Sequence, residues 1–192
     1  MLHWLLHKIG IDKVTTQTSA AEQRVLSAIC AKANSIIEIG VFEGYNTREF
    51  AISSPFNAQV FAIDPCFKGS LGFSYGKSIA LKEWKRAGIS NKISLLEGFS
   101  WDVAEKIPDN IDFIFIDGDH SFEGVKKDFQ LYSKKISTKG FVALHDARIF
   151  ENGWTKPDWG PVRLMNEIII PSGEWEIVEE IDSLVILKAI SK

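Results

Sequence analysis

The sequence predicts a doubly wound α/β domain, with a mostly parallel sheet and helices on both faces. Five short and largely continuous apolar runs, at residues 36–39, 60–63, 93–96, 111–116 and 141–144, read as strands buried on both sides. Helical stretches at 47–52, 77–87 and 122–132 lie between runs, which is the alternation of strand and crossover helix. Right-handed crossovers then place helices on both faces of the sheet. The first run passes straight into a glycine turn, Ile39-Gly40-Val41-Phe42-Glu43-Gly44, at the strand end where such sheets hold ligands.

The remaining elements follow in order. Residues 1–10 are apolar and helix-forming, but too short to cross a bilayer. They also lack a basic start and a small-residue cleavage site, so secretion is not indicated and a cytoplasmic protein without a membrane span is expected. His3 and His7, four apart, share a face of this helix without a third ligand nearby, and its Trp/Leu face is expected to dock on a twin subunit, giving a homodimer, or on the domain itself. Ser19-Ala20-Ala21-Glu22 has the form of a capping box, and Leu26, Ile29, Cys30 and Ala33 follow with helical spacing. Residues 1–34 are thus expected to be a helical segment packed on a single domain at 35–192. Gly88 stops the helix that ends near residue 87. Late in the chain Pro161 opens a helix through Ile168, and the runs 175–181 and 184–189 form a hairpin turning at Asp182-Ser183.

With 192 residues, 45% hydrophobic and 24% charged, the chain fits one globular domain with a sizeable core. Its formal charge of −3 and the absence of a Lys/Arg cluster argue against nucleic acid and favour a small or neutral partner. Cys30 and Cys66 are isolated and fit neither a zinc site nor a disulfide framework, so both are read as reduced thiols.

The turn itself describes a nucleoside site. Gly40 lets the chain bend at the strand end and Gly44 lets the backbone approach a ligand, while Asp64, closing the second run, can accept from two ribose hydroxyls. Helix capping before the loop at Pro65 is the competing role for Asp64. A dinucleotide site needs G-x-G-x-x-G to bring backbone against a pyrophosphate; here the middle glycine is missing and the turn holds no Lys or Arg. An adenosine without phosphates is the better guest. Other residues at strand ends are Glu97 to Ser100, Asp117 to His120, and His145-Asp146.

Together, Glu38-x-Gly40-x-x-x-Gly44, Asp64 and the block Ile116-Asp117-Gly118-Asp119-His120 make the chain resemble the class I S-adenosylmethionine-dependent methyltransferases. It is most similar to the small group related to macrocin O-methyltransferase and cephalosporin hydroxylase, from about Ser35 to Leu187. The resemblance implies a Rossmann-like sheet of seven strands with an antiparallel last strand. It implies S-adenosylmethionine as cofactor: Glu38, Gly40, Phe42 and Gly44 with Asp117 around the methionine part, Asp64 on the ribose, and Phe99, Ser100 and Trp101 on the adenine. It also implies a divalent metal, magnesium or manganese, held by Asp117, His145 and Asp146, although relatives have an acid in place of His145. That departure removes a charge and an oxygen, so either metal dependence is lost or a softer ion is preferred.

The expected activity is methyl transfer to a hydroxyl of a small molecule, sugar or glycan. His120 and His145 are the candidates to take the hydroxyl proton beside Asp117, since an imidazole titrates near neutrality. The alternative is a regulatory module that binds the cofactor and transfers nothing. The loops 66–76 and 148–160, rich in glycine and aromatics, are expected to shape the acceptor pocket with Trp154 and Trp159, and Trp84 is expected in the core.

Overall fold

The computed structural model describes residues 1–151 and 153–190, so the domain boundary expected at residue 192 lies outside the described residues. Seven strands form one sheet: β1 Ser35–Ile39, β2 Gln59–Asp64, β3 Ile93–Glu97, β4 Ile111–Ile116, β5 Ile136–Leu144, β6 Trp175–Ile181 and β7 Leu184–Ala189. Their order is β3-β2-β1-β4-β5-β7-β6. The first five run parallel, β7 runs antiparallel to β5, and β6 pairs antiparallel with β7 at the edge. The sheet is therefore Rossmann-like in the manner the sequence predicts, and its strand order reverses beside β1, where open α/β sheets leave a crevice.

Period-two alternation divides each strand between two cores. Ile37, Ile39, Ile114, Ile116, Val142 and Leu144 face one layer with Val125, Phe129, Tyr132 and Leu164. Ile36, Val60, Phe113, Phe115 and Ala143 face the other with Leu26, Phe50, Ala80 and Trp84. The helices behind these layers are α1 Leu2–Lys8, α2 Ala20–Cys30, α3 Tyr45–Ser53, α4 Tyr75–Arg86, α5 Ser100–Val103, α6 Phe122–Tyr132, α7 Gly160–Leu164 and α8 Ile170–Ser172. Trp84 is in the core as expected, and its indole N–H donates to the Gly44 carbonyl at 3.0 Å.

Two elements depart from the sequence expectation. β5 begins at Ile136, ahead of its apolar run: Ile136 lies opposite Ile111, and the polar residues after it bridge an irregularity in the ladder before pairing resumes at Phe141 and Phe113. A Cβ on Gly140 would sit 2.8 Å from the Ile111 carbonyl oxygen, so glycine permits that close approach. The helix from Gly160 also runs past Ile168, through a π-turn at Met165–Ile169 and into α8. Pro171 cannot donate to the carbonyl four residues back, and a widened turn just before it relieves the conflict.

The amino-terminal helix docks on the domain itself. Trp4 packs against Phe73 and Tyr75 and donates to Ser78 Oγ at 3.0 Å, His7 is buried 3.1 Å from Glu83 Oε1, and Lys82 Nζ caps the helix end on the His7 and Lys8 carbonyls. Leu2, Leu5 and Ile9 remain exposed on its far side. In α2 the capping box is complete, with Ser19 Oγ accepting from the Glu22 N–H and the Glu22 carboxylate accepting from the Ser19 N–H. Among the described residues no helix is long and apolar enough to cross a membrane.

Candidate active site

The turn after β1 is built around one carboxylate. Asp64, at the end of β2, accepts from the N–H groups of Val41 and Phe42 at 3.0 and 3.2 Å through one oxygen, and from Cys66 at 2.7 Å through the other. It thus caps its own loop and the glycine turn together while its side chain lines the cavity beyond the strands. Gly40 has φ +92°, and a Cβ there would lie 2.1 Å from the Asp117 carbonyl oxygen. That glycine is what lets the ends of β1 and β4 converge. Gly44, expected to face a ligand, instead meets α4: a Cβ would fall 2.7 Å from Ala80 Cβ and 2.8 Å from the Trp84 nitrogen.

Glu38 is fully buried beneath the turn and off the cavity lining. One of its oxygens accepts from Thr47 Oγ1 and the other has no partner among the described residues. Burial raises its carboxyl well above the usual range, against the Thr47 bond and with the charges of Asp117 and Asp64 adding to the rise.

Above the turn lies a cavity of about 850 Å³, the size of a small-molecule site. Gly40, Phe42 and Asp64 form one wall, Gly98, Phe99, Ser100 and Trp101 a second, and Asp117 to His120 the floor. Met1, His3, Trp4 and residues 15–17 of the amino-terminal segment also line the cavity, with Tyr75 and Gly76. Glu43, Asp64, Asp117, Asp119 and Asp128 all reach this lining, and among the described residues no Lys or Arg does. Such a field attracts a cation and repels phosphate. Phe99 and Trp101 stack at 4.7 Å with Phe67 at the edge of Phe99, and Lys127 covers the other face of Trp101 at 3.7 Å.

Behind that wall is a residue the sequence reading passed over. Asp128 is 2% exposed, accepts from Ser100 Oγ, and stands near Tyr132, whose hydroxyl donates to the Ser100 carbonyl at 2.7 Å. Desolvation is the main reason its carboxyl rises to about 6. The signal was present: Val125, Phe129 and Tyr132 form the buried stripe of α6, and Asp128 falls within it.

The ends of β4 and β5 bring Asp117, His120, His145 and Asp146 together, with one ligand atom of each inside a 4.8 Å span. His145 is 1% exposed, its Nδ1 lying 3.1 Å from Asp117 Oδ1 and its Nε2 3.3 Å from Glu22 Oε2. Burial works to lower the His145 pKa, but the bonds to Asp117 and Glu22 outweigh it and raise it to about 10. His120 Nδ1 lies 3.1 Å from the Gly118 carbonyl and its Nε2 3.0 Å from Asp146 Oδ2, which raises its pKa against the opposing effect of burial. Asp146 also accepts from the Trp154 N–H at 2.6 Å. Its carboxyl is lowered by His120 and the neighbouring charges, although desolvation opposes them.

Two carboxylates and an imidazole whose far nitrogen rests on a carboxylate make a donor set suited to a divalent ion. Both ring nitrogens are engaged in each histidine, but His145, proposed from sequence as a proton acceptor, lines neither cavity, whereas His120 borders both. The second cavity, about 410 Å³, is lined by Gln17, His120, Asp146, Asp158, Trp159 and Arg163. Trp159 thus lines a cavity and Trp154 braces the cluster, both from the loop 148–160. Glu22 escaped the sequence reading as a site residue because the capping box already accounted for it.

These features match a known class of protein. The profile of a methyltransferase-domain family matches residues 37–147, and the chain belongs to that family. Among curated proteins it is similar to probable caffeoyl-CoA O-methyltransferase 3 of Dictyostelium discoideum, 31% identical over 62% of this chain and 45% of that one. It is also similar to uncharacterized protein R132 of Acanthamoeba polyphaga mimivirus, 28% identical over 57% of this chain and 50% of that one. The chain spans about half the length of these relatives. Solved structures share the fold: the O-methyltransferase TomG of Streptomyces achromogenes in complex with SAM has a TM-score of 0.69 at 15% identity, covering 97% of this chain and 86% of its own. The Bacillus cereus O-methyltransferase in complex with SAH has a TM-score of 0.69 at 16% identity, covering 97% and 96%.

Proposed function

We propose that the chain is an S-adenosylmethionine-dependent O-methyltransferase acting on a hydroxyl of a small molecule or sugar. The observation that carries this reading is the large cavity at the sheet's switch point, rich in carboxylates and without a Lys or Arg among its described residues, which suits a sulfonium nucleoside and disfavours a nucleotide. Asp64 accepts from the ribose hydroxyls, Phe99 and Ser100 flank the adenine, and the backbone of the Gly40 turn with Asp117 borders the methionine part. The carboxylates around it offset the sulfonium charge. An oxygen acceptor is supported by the names of the curated caffeoyl-CoA O-methyltransferase relatives.

The acceptor enters through the smaller cavity, where Trp159 offers a flat surface. Because His120 borders both cavities, a hydroxyl from the second meets a methyl from the first beside the His120 Nε2. Transfer is an in-line displacement at carbon, so the protein supplies alignment and a proton acceptor, with no covalent enzyme intermediate. The proton passes to the pair formed by His120 Nε2 and Asp146, 3.0 Å apart, and Asp146 stabilises the imidazolium. Asp117, His145 and Asp146 would hold a divalent ion, which supplies acidification of a bound hydroxyl.

Calorimetric titration with S-adenosylmethionine and S-adenosylhomocysteine tests the cofactor, and absence of heat from both at high concentration removes it. Formation of S-adenosylhomocysteine against a panel of phenols, sugars and glycan precursors tests transfer. His120→Ala should lower kcat by about 100-fold, the usual worth of a positioned base, while cofactor affinity stays within a factor of two.

A further inference from the structure

Glu22 sits on α2, ahead of the segment that the family profile covers, yet it touches the centre of the site. Its side chain is wholly buried, and one oxygen accepts from the Ser183 N–H and hydroxyl at 3.0 and 2.8 Å. The other accepts from the Ser19 N–H at 2.7 Å and stands 3.3 Å from His145 Nε2. Held this rigidly, Glu22 fixes the imidazole so that Nδ1 faces the two acids, 3.1 Å from Asp117 Oδ1 and 3.7 Å from Asp146 Oδ2.

We propose that Glu22 makes His145 a nitrogen ligand, so that Asp117, His145 and Asp146 form a centre that takes a first-row transition ion in preference to magnesium. The inference concerns the same site as the proposed activity but stands on donor chemistry alone. The two measured separations bracket the roughly 3.3 Å between ligands on an ion with bonds of about 2.0 Å. Magnesium wants oxygen in a near-ideal octahedron, whereas imidazole suits the transition ions. A carboxylate on the far ring nitrogen fixes the tautomer and raises the basicity of the ligating one. His120 stays outside the set, since its side chain is 37% exposed and its Nε2 is taken by Asp146 at 3.0 Å, while the side chain of His145 is fully buried between the two acids and Glu22.

The test uses the whole chain stripped of metal, with cobalt(II), manganese(II) and magnesium as probes in equilibrium dialysis. The wild type should bind cobalt at least 100-fold more tightly than magnesium, and pulsed electron paramagnetic resonance of bound manganese should show coupling to an imidazole nitrogen. Glu22→Gln, checked for folding by circular dichroism, should weaken cobalt binding by about 10–100-fold and leave magnesium unchanged. His145→Asp should cut the cobalt-to-magnesium ratio at least tenfold, and His120→Ala should keep the nitrogen coupling. No nitrogen coupling in the wild type overturns the proposal without any variant having to fold. So does an unchanged ratio in a folded His145→Asp protein, or nitrogen coupling that disappears in His120→Ala. Calorimetry with S-adenosylhomocysteine on the metal-free chain reports separately on the methyltransferase reading.

Discussion

Asp128 occupies a place on α6 where the stripe calls for an apolar side chain, and this makes its contribution to stability measurable. Its carboxyl titrates near 6 in the folded chain, against 3.8 for the free group, because burial penalises the anion more than the Ser100 bond favours it. A raised carboxylate stabilises the fold most below pH 4, and that stability is lost as pH climbs through 6. Two pKa units correspond to about 3 kcal/mol as an upper bound on this loss. Asn at 128 keeps an oxygen for the Ser100 hydroxyl and cannot ionise. The difference in unfolding free energy between Asp128→Asn and wild type should therefore rise in favour of the variant by 1–3 kcal/mol (roughly, from that bound) between pH 4.5 and pH 8. For a chain of this length each kcal/mol moves Tm by about 2–4 °C, so the gap at pH 8 should be several degrees. Urea denaturation at four pH values on both proteins is the assay. A difference that stays flat across the range would mean that Asp128 titrates as an ordinary surface acid, and the account of its burial would fail.

Three further outcomes follow from the geometry. Gly40→Ala must place a Cβ against the Asp117 carbonyl at a left-handed φ, so it should cost several kcal/mol (on the order of 3) in denaturant and abolish S-adenosylhomocysteine binding; wild-type affinity would contradict the packing described. Asp64→Asn keeps one acceptor oxygen but cannot serve Cys66 and the turn together, and calorimetry should show cofactor affinity reduced at least tenfold. Ser19→Ala removes only a cap and should cost about 1 kcal/mol. Glu22→Ala strands His145, Ser183 and the Ser19 N–H in the interior and should cost about 3–5 kcal/mol, so equal losses for the two would reduce Glu22 to a capping residue.

The fold was legible where local pattern and tertiary context agree. β4 and α6 have the bounds their sequences predict, since one is an unbroken apolar run and the other an uninterrupted amphipathic stripe. The hairpin at Asp182-Ser183 is likewise where turn chemistry puts it, with Asp182 at φ 47°. The start of β5 was not legible, because Ser137, Thr138 and Lys139 are polar and fall in an irregularity of the ladder, between the pairs Ile111–Ile136 and Phe113–Phe141 that carry the strand across them. Within the site, rules about strand ends located Asp64, Asp117, His120, His145 and Asp146. They could not tell that His145 faces inward and His120 outward, because that depends on α2 and on the 182–183 turn reaching the same point. Gly44 was misplaced for a similar reason: a glycine marks a close approach without saying what approaches, and here it is Trp84.

The segment before β1 therefore has more to do with the chemistry than its distance along the chain suggests. Glu22 bridges the start of α2, the turn between β6 and β7, and the imidazole at the end of β5, three points that only the folded sheet brings together. Earlier in the segment, Thr15 through its N–H and hydroxyl, and His3 through its ring, bond to Glu43 and so hold Met1, His3, Trp4 and residues 15–17 against the cavity they line. A site assembled from strand ends alone would have a floor and two walls; the amino-terminal residues supply its cover and fix one of its histidines. Both contributions come from residues ahead of the segment 37–147 that matches the methyltransferase-domain family. The buried histidine and the carboxylate behind it are thus split across the boundary of the matched segment, and substitutions at Glu22 should register at His145 before they register in the fold of α2.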